Sequence, residues 1–316
     1  MKKIKTIPFI LVGVIGVNYT SYAGELSQDH VSLDLTMLSR DSNSSVTYLY
    51  DNNGNVNDVS DDIPLATSDN FNDDADTGYR LSGSKKLSSK WSINAGLMSS
   101  EMSYSETITE PAGQLTVFPL NNTDQFDAAD SVKTSYDSDL SSEEINAVYN
   151  FNDKIDFIIG LGHLSLDEKF RITSDDTTAA GIGTYTINTG NDMTGFHAGI
   201  AISHKATDKV GLYFVGKIGW YDNDTDQKQR VDDTSLPLRV NSGSDNESST
   251  VYDIQLGASY DINKQLAVRL SYQLISISNV ALASSQFDVT STGTNAVNGD
   301  NDIDWDGFNL GVRYTF

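Results

Sequence analysis

The chain has 316 residues, with 44 acidic side chains, 21 lysines and arginines, and a formal net charge of −23. A net negative charge of this size argues against a nucleic acid partner and against attraction to anionic lipid. The sequence has no cysteine, which excludes disulfides, structural thiolate metal sites and a cysteine nucleophile.

The first 23 residues have the pattern of a secretory signal. Three of the first five residues are lysines, an apolar run covers residues 7–17, and a small-residue cleavage site ends at Ala23. The apolar run is too short to span a bilayer, which disfavours a membrane anchor. We therefore predict that residues 1–23 are removed and that residues 24–316 form a single domain with a net charge of −26.

Ten segments alternate apolar residues with polar or small ones, which is the period of an extended strand with two different faces. The clearest is the last, where Phe308, Leu310, Val312, Tyr314 and Phe316 share one parity. In chain order, the predicted strands cover 31–38, 78–87, 91–97, 145–151, 155–166, 196–202, 210–220, 252–260, 266–274 and 304–316.

The connections between these segments alternate between long and short. Loops of about 20 to 40 residues are predicted at 39–77, 101–141, 174–192, 222–249 and 279–303, and turns of three or four residues separate the other neighbours. The apolar parity changes near Gly162, where we predict a β-bulge. Segments 46–50 and 115–120 could add two strands and make twelve.

These features predict an all-β fold, a ten-stranded antiparallel transmembrane β-barrel with short periplasmic turns and long external loops. In hydrocarbon every backbone polar group needs a partner, so only helices and closed barrels span membranes. A secreted β-sandwich also has alternating strands, but it does not explain the alternating loop lengths. Aromatic residues near strand ends match interfacial girdles: Trp91, Tyr149, Phe151, Tyr260, Tyr314 and Phe316 on the turn side, and Trp220 and Tyr252 on the loop side.

The parity opposite the apolar one predicts the residues that line the lumen. Opposite charges in such a confined space should pair, and we expect the pairs Asp253–Arg269 and Asp34–Arg313. Pairs that bridge the lumen would make a plugged scaffold, whereas pairs along the walls would leave a narrow pore. The predicted lining residues are Asp34, Arg80, Glu144, Asp156, His197, Lys217, Asp253, Arg269 and Arg313.

The one candidate metal site is acidic. Asp222, Asp224 and Asp226 alternate as in a calcium loop and could hold Ca²⁺, although Gln227 stands where such loops need glycine. The competing interpretation is a solvated acidic rim, which repels anions and concentrates cations at the mouth of the barrel. Such a rim would meet lipopolysaccharide phosphates only through bridging divalent cations. No other cofactor is predicted.

Catalytic motifs are missing from the sequence. It contains neither G-x-S-x-G nor H-E-x-x-H. A histidine in a polar lumen, such as His197, is more often a hydrogen-bonded wall residue than a base. We therefore predict no enzymatic activity.

Two families of outer-membrane proteins resemble the chain. Segments EEINAVYNFNDKIDFIIGLGHLSLDEKFRI, MTGFHAGIAISHKATDKVGLYFVGKIGWYD, VYDIQLGASYDINKQLAVRLSYQL and DGFNLGVRYTF are similar in glycine and turn order to the pore-forming family first described in Legionella. GWYDNDTDQ resembles the omptin protease segment that carries Asp-x-His, but Asp226 replaces the histidine. The second omptin aspartate pair has no match in 101–141, so that resemblance implies no protease role.

The final strand resembles the signal that outer-membrane barrels present to the barrel-assembly machinery, on Gly311, Tyr314 and Phe316. We therefore expect this machinery, membrane lipid and lipopolysaccharide as partners, and the outer membrane of a Gram-negative cell as location. The expected function is a narrow, mildly cation-preferring porin-like channel. The alternatives are a non-conducting scaffold whose acidic loops bind a partner or surface, and a degenerate omptin-like protease.

Overall fold

The computed structural model describes residues 26, 28–51, 63–71, 76–110, 115–117, 120, 126, 129–176, 181–233, 238–287 and 293–316. The predicted signal segment lies outside them. Among these residues, no helix has the length and apolar character needed to cross a membrane. The strands are β1 (His30–Ser42), β2 (Thr47–Asp51), β3 (Ile63–Thr67), β4 (Asp76–Lys86), β5 (Trp91–Thr109), β6 (Leu115–Val117), β7 (Ser131–Asn152), β8 (Ile155–Asp176), β9 (Gly181–Lys205), β10 (Val210–Asp232), β11 (Arg239–Asp261), β12 (Leu266–Val280), β13 (Gly293–Thr294) and β14 (Asn301–Thr315). Short 3₁₀ turns occupy Ser68–Phe71 and Ala283–Ser285.

Ten of these strands form a closed antiparallel barrel. The order around the ring is β10-β9-β8-β7-β5-β4-β1-β14-β12-β11, and β11 pairs with β10 to close it. Strand β14 pairs with β1 from Thr315 opposite His30 to Ile303 opposite Ser42. Closure leaves the ring without free edges, which confirms the predicted ten-stranded barrel and rules out a sandwich.

An apolar belt surrounds one half of the barrel. Leu35, Leu161 and Leu256 are each more than 60% exposed on the outer wall. Such exposure is unfavourable in water and is expected where the surface faces lipid chains. Trp91 and Tyr149 pack at 5.0 Å at the turn-side margin, and Phe196 and Trp220 pack at 5.4 Å on the opposite side. The belt therefore lies between two aromatic margins, as the sequence predicts.

The strands continue far beyond the belt, and here the predicted loops were wrong. Strand β5 extends to Thr109 and β7 begins at Ser131, within the predicted loop 101–141. Strands β8 to β11 likewise cover most of 174–192 and 222–249. Strand β9 has 25 residues, which corresponds to a wall about 60 Å high at the usual strand tilt. The apolar alternation stops where lipid ends, but the backbone pairing continues.

The β-bulge predicted at Gly162 is also wrong. Pairing continues without a shift through Gly162, which lies opposite Glu144 on β7 and Gly195 on β9. Leu164 and Leu166 point inward on the same parity as Asp156, and both are buried. At this height the inward-facing side chains change from polar to apolar. In the sequence, this change looks like a shift of the apolar residues from odd to even positions.

The external half of the barrel is filled by an apolar core. Segments 46–50 and 115–120 do form strands, but β2 and β6 join β3 in a separate three-stranded sheet, so the barrel keeps ten strands. Phe71 stacks on Tyr136 at 4.5 Å, and Tyr48 meets Phe170 edge-on at 5.2 Å. The small sheet thus packs against the inner wall and closes the external half.

Residues 281–287, which we call the plug segment, also fold into this core. Near the end of β12 the register with β14 shifts at Asn279, whose φ of 56° is the single positive value among described non-glycine residues. Leu282 and Ala283 are fully buried, and Phe287 lies 5.3 Å from Phe170. Asn191 on β9 accepts a hydrogen bond from the Ala281 backbone nitrogen (2.8 Å) and donates to its carbonyl (2.9 Å). The last predicted loop is therefore partly an internal plug.

We predict that Phe170→Ala lowers the free energy of unfolding by about 3–5 kcal/mol, because it leaves a cavity in this core. Phe196→Ala on the lipid-facing wall is the matched control and should cost less. Urea titration of the folded protein, followed by gel mobility, measures both. Equal losses for the two variants would contradict a packed external core.

Candidate functional site: the lumen

Four charged side chains from four strands meet inside the membrane-spanning half of the barrel. Lys217 on β10 lies 2.6 Å from Glu144 on β7 and 2.9 Å from Asp253 on β11. Arg80 on β4 lies 3.6 Å from Glu144 and 3.8 Å from Asp253. We call Arg80, Glu144, Lys217 and Asp253 the lumen ion-pair cluster.

The cluster crosses the bore, although Lys217 and Asp253 are also direct neighbours on the adjacent strands β10 and β11. Strands β8 and β9 separate β7 from β10, and β1, β14 and β12 separate β4 from β11. Each side chain is at most 17% exposed. Two cations and two carboxylates therefore compensate one another in a nearly dry space, where an unpaired charge would be costly.

The remaining ion pairs differ from the two that the sequence suggested. Arg269 on β12 pairs with Asp34 on β1 at 3.8 Å and donates to the Tyr213 hydroxyl at 3.1 Å. Arg313 instead lies 3.8 Å from Asp261 near the turn-side end. The predicted pair Asp253–Arg269 was wrong because strand register separates its two residues. Asp253 is opposite Ile275 on β12, six residues from Arg269. Asp34 and Arg313 are diagonal neighbours on β1 and β14, and their pairing stays a prediction.

Beside the cluster, His197 on β9 is held by hydrogen bonds. Its Nε2 lies 2.5 Å from the Asn146 Oδ1, and its Nδ1 lies 3.3 Å from the Tyr221 hydroxyl. Asn146 in turn donates to Asn94 at 3.2 Å. Gly160 is required below this contact, since a Cβ there would lie 2.1 Å from the Asn146 Oδ1. His197 is thus placed as a wall residue with both ring nitrogens engaged.

All nine predicted lining residues lie on the inward parity of barrel strands, but they do not form one site. Arg80, Glu144, His197, Lys217 and Asp253 come together, while Asp34 and Arg269 form a separate pair. Asp156 and Arg313 lie near the turn-side end, where Asn150 donates to Asp156 at 3.0 Å. The cavity at the cluster has a volume of about 40 Å³, which leaves room for only a few water molecules.

A second buried ion pair, between Arg40 on β1 and Glu168 on β8, ties the plug segment to the wall. Both side chains are 0% exposed, and the Arg40 Nη2 lies 3.0 Å from the Glu168 Oε1. Ser138 donates to Glu168 at 3.0 Å, and the backbone nitrogen of Ala283 donates at 2.9 Å. Burial raises the pKa of Tyr136, which also donates to Glu168, well above its usual range.

The sequence-based prediction missed Arg40, Glu168 and Tyr136, because it assigned Arg40 and Tyr136 to loops and placed a β-bulge before Glu168. A usable signal exists in β10. From 222 to 230 the even positions are charged and point outward, whereas the odd positions are uncharged and buried. This alternation of charge marks a strand that hydropathy does not reveal.

The predicted calcium ligands do not converge. Asp222, Asp224 and Asp226 follow one another along the outer face of β10, and all three are exposed. Among the described residues, no three His, Asp or Glu side chains come close enough to hold a metal ion. Calcium binding therefore has no preformed site here and stays a prediction.

The residues of the predicted assembly signal lie in β14 and directly after it. Gly311 faces Asp34, and a Cβ at this position would lie 2.1 Å from the Asp34 Oδ1. Tyr314 and Phe316 point outward at the turn-side margin, with ring centroids 5.2 Å apart. Close packing against Asp34 thus explains why glycine occupies position 311. Recognition of these residues by the assembly machinery stays a prediction.

The closed ring, the apolar belt and the aromatic margins define a transmembrane β-barrel of the outer membrane. Residues 109–316 match the family described as outer membrane protein β-barrel domain, and the chain belongs to this family. No curated protein matches the chain.

Solved structures with a similar course of the chain are other outer-membrane barrels. The outer membrane protease OmpT from Escherichia coli shares 10% identity, with 94% of this chain and 99% of that chain covered and a TM-score of 0.46. The P. putida toluene transporter TodX shares 13% identity, with 92% and 90% covered and a TM-score of 0.37. Similarity at this level transfers no activity to this chain.

We predict that Lys217→Met destabilises the barrel by about 3–5 kcal/mol, because it leaves Glu144 and Asp253 buried with one cation fewer. Lys209→Met on a turn, where the side chain is exposed, should have little effect. Urea titration of both folded variants measures the difference. A loss for Lys217→Met no larger than for Lys209→Met would show that the cluster is not buried.

We also predict that Phe316→Ala slows insertion by the barrel-assembly machinery, with Phe151→Ala, another outward aromatic at the turn-side margin, as control. Insertion into proteoliposomes that contain the machinery is followed by gel mobility over time. An unchanged rate for Phe316→Ala would contradict the role assigned to this residue.

Proposed function

We propose that this barrel is closed to ions and serves as a non-conducting scaffold whose acidic external wall binds a cationic partner. The observation that carries this proposal is the lumen ion-pair cluster, which bridges the bore between β4, β7, β10 and β11. A permeating ion would have to separate these pairs in a space of low polarity, where their attraction is strong.

A second barrier supports closure. Above the cluster the bore contains the small sheet, the plug segment and buried aromatic side chains. Polar backbone groups of the plug segment have partners on the wall. Gln229 donates to the Gln286 carbonyl, and the Ala283 backbone nitrogen donates to Glu168 at 2.9 Å. A segment whose buried groups are paired in this way is expected to stay in place.

The outer wall above the belt is mainly acidic. Among its described outward residues, fifteen are Asp or Glu and five are Lys or Arg. This imbalance favours a cationic protein or peptide as partner and would increase its rate of association at low salt. The acidic residues are Asp41, Glu101, Asp137, Asp139, Glu143, Asp167, Asp175, Asp192, Asp222, Asp224, Asp226, Asp232, Asp302, Asp304 and Asp306.

The narrow cation-preferring channel is the second candidate. It is favoured by the polar lining of the membrane-spanning lumen, where Asn94, Gln255 and Gln273 accompany the charges. Conduction would require the ion pairs and the plug segment to move aside. We propose no enzymatic role, because Asp224 and Asp226 lie exposed on the outer face of β10, with no histidine between or beside them on that strand.

Planar-bilayer recording of the folded protein distinguishes the two candidates. We expect no steady conductance from the wild type. A variant that lacks residues 281–287 and carries Arg80→Ser, Glu144→Ser, Lys217→Ser and Asp253→Ser should conduct, since both barriers are removed. Gel mobility confirms that each sample is folded. Stable, cation-selective steps from the wild type would instead establish the channel.

Binding of a fluorescent decalysine probe to the protein in nanodiscs tests the acidic wall. Asp302→Asn with Asp304→Asn on β14 should weaken binding by roughly threefold, and added salt should weaken it further. The control pair, Asp153→Asn with Asp208→Asn on turns, removes the same charge from the opposite end. Equal binding by the two double variants would contradict a role for the external wall.

A further inference from the structure

The outer wall carries one group of basic side chains, which we call the external basic patch. It consists of Lys169 and Arg171 on β8 and Lys228 and Arg230 on β10, and all four residues are exposed. Within the part of the chain that the structure describes, Lys133 on β7 is the single other base on the wall above the belt. The remaining described bases lie at the turn-side end or on inward-facing positions.

Strand register brings the four cations together. Strand β9 lies between β8 and β10, and Asn188 pairs with both Lys169 and Lys228. Thr186 pairs with both Arg171 and Arg230 in the next row. Neighbouring strands are about 4.8 Å apart, and alternate residues along a strand are about 6.7 Å apart. The four basic side chains therefore leave the backbone at the corners of a rectangle of roughly 10 by 7 Å. The hydroxyl and amide of β9 lie within it.

Acidic residues border the patch on its membrane side, beside it and above it. Asp167 and Asp226 occupy the row below, where both approach the small residue Gly190. Arg230 pairs with Asp232 at 2.8 Å, and Asp137 lies across from Lys169 on β7. Among the described residues, Lys169, Arg171 and Lys228 form no ion pair. The surface is thus layered, with apolar, acidic and then basic rows above one another.

The height of the patch indicates what it faces. Lys228 lies eight residues beyond Trp220, which marks the external margin of the belt. At the usual rise and tilt this distance is roughly 20 Å above the lipid chains. The patch also faces sideways, toward whatever surrounds the barrel in its own membrane. In the outer leaflet, that neighbour at this height is the saccharide part of lipopolysaccharide, which carries phosphate groups.

We propose that the external basic patch binds phosphate groups of lipopolysaccharide in the surrounding leaflet. Two arginines can each grip a phosphate with paired N–H donors, and two lysines add point charges. The acidic wall elsewhere repels the same phosphates, so the glycolipid contacts the barrel at β8–β10 in preference to other strands. This contact does not depend on whether the lumen conducts.

Titration of labelled lipopolysaccharide against the folded full-length protein in detergent tests the proposal. The patch variant Lys169→Gln, Arg171→Gln, Lys228→Gln, Arg230→Gln should raise the Kd more than about tenfold, since four phosphate contacts are lost. The control variant Lys86→Gln, Lys90→Gln, Lys154→Gln, Lys264→Gln removes the same charge from exposed positions at the turn-side end and should bind like the wild type. Should the patch variant not fold by gel mobility, Arg171→Gln with Arg230→Gln is used against Lys86→Gln with Lys154→Gln.

A second arm identifies the recognised group. Removing the phosphates from lipopolysaccharide should lower wild-type binding to the level of the patch variant, and inorganic phosphate should compete. Equal affinity of the patch and control variants, or binding that survives phosphate removal, would overturn the proposal. It would also be overturned if the wild type formed oligomers without lipopolysaccharide and the patch variant did not, since the patch would then join copies of the chain.

Discussion

The need to pair every backbone polar group in hydrocarbon determines the architecture of this protein. An open sheet would leave unpaired N–H and C=O groups at its two edges, whereas the pairing of β10 with β11 closes the ring. Closure also makes each strand a boundary between two environments, because successive side chains point to opposite sides. In the membrane half, lipid surrounds the barrel and polar groups fill it. In the external half, water surrounds it, and a mainly apolar core fills it together with buried polar side chains such as those of β10.

This inversion explains which features the sequence could predict. Residues 308–316 alternate between lipid and a polar lumen, so hydropathy shows the strand clearly. Beyond the belt, the outer residues of β10 are charged and the inner ones are Asn223, Thr225, Gln227 and Gln229. Both sets are hydrophilic, and a hydropathy pattern therefore indicates a loop. The apparent bulge at Gly162 has a different origin, since Leu164 and Leu166 remain inside while the interior changes from polar to apolar.

The alternation of the sequence predicted which side chains face the lumen, but it did not predict which of them contact one another. Inward-facing charges follow from the alternation, and all nine predicted residues lie on that face. Their partners depend on register and on side chains that reach across the bore, as Lys217 does toward Glu144, 73 positions away along the chain. Local sequence patterns do not show which residues come into contact when they are so far apart along the chain. The plug segment was not predicted for a related reason. Its small residues are typical of a polar loop, and the partners of its buried backbone, Asn191 and Glu168, lie far away in the sequence.

Closure of the lumen at the ion-pair cluster can be measured directly with single cysteines, because the chain has no native cysteine. Ser142 lines the cavity at the cluster, and its neighbour Ser141 is exposed on the outer wall. Single cysteines at these positions can be treated with a small, charged thiol reagent in liposomes. We predict that Ser142→Cys is modified more slowly than Ser141→Cys by on the order of 100-fold, since access requires local opening. Similar rates at the two positions would show that water and ions reach the cluster freely.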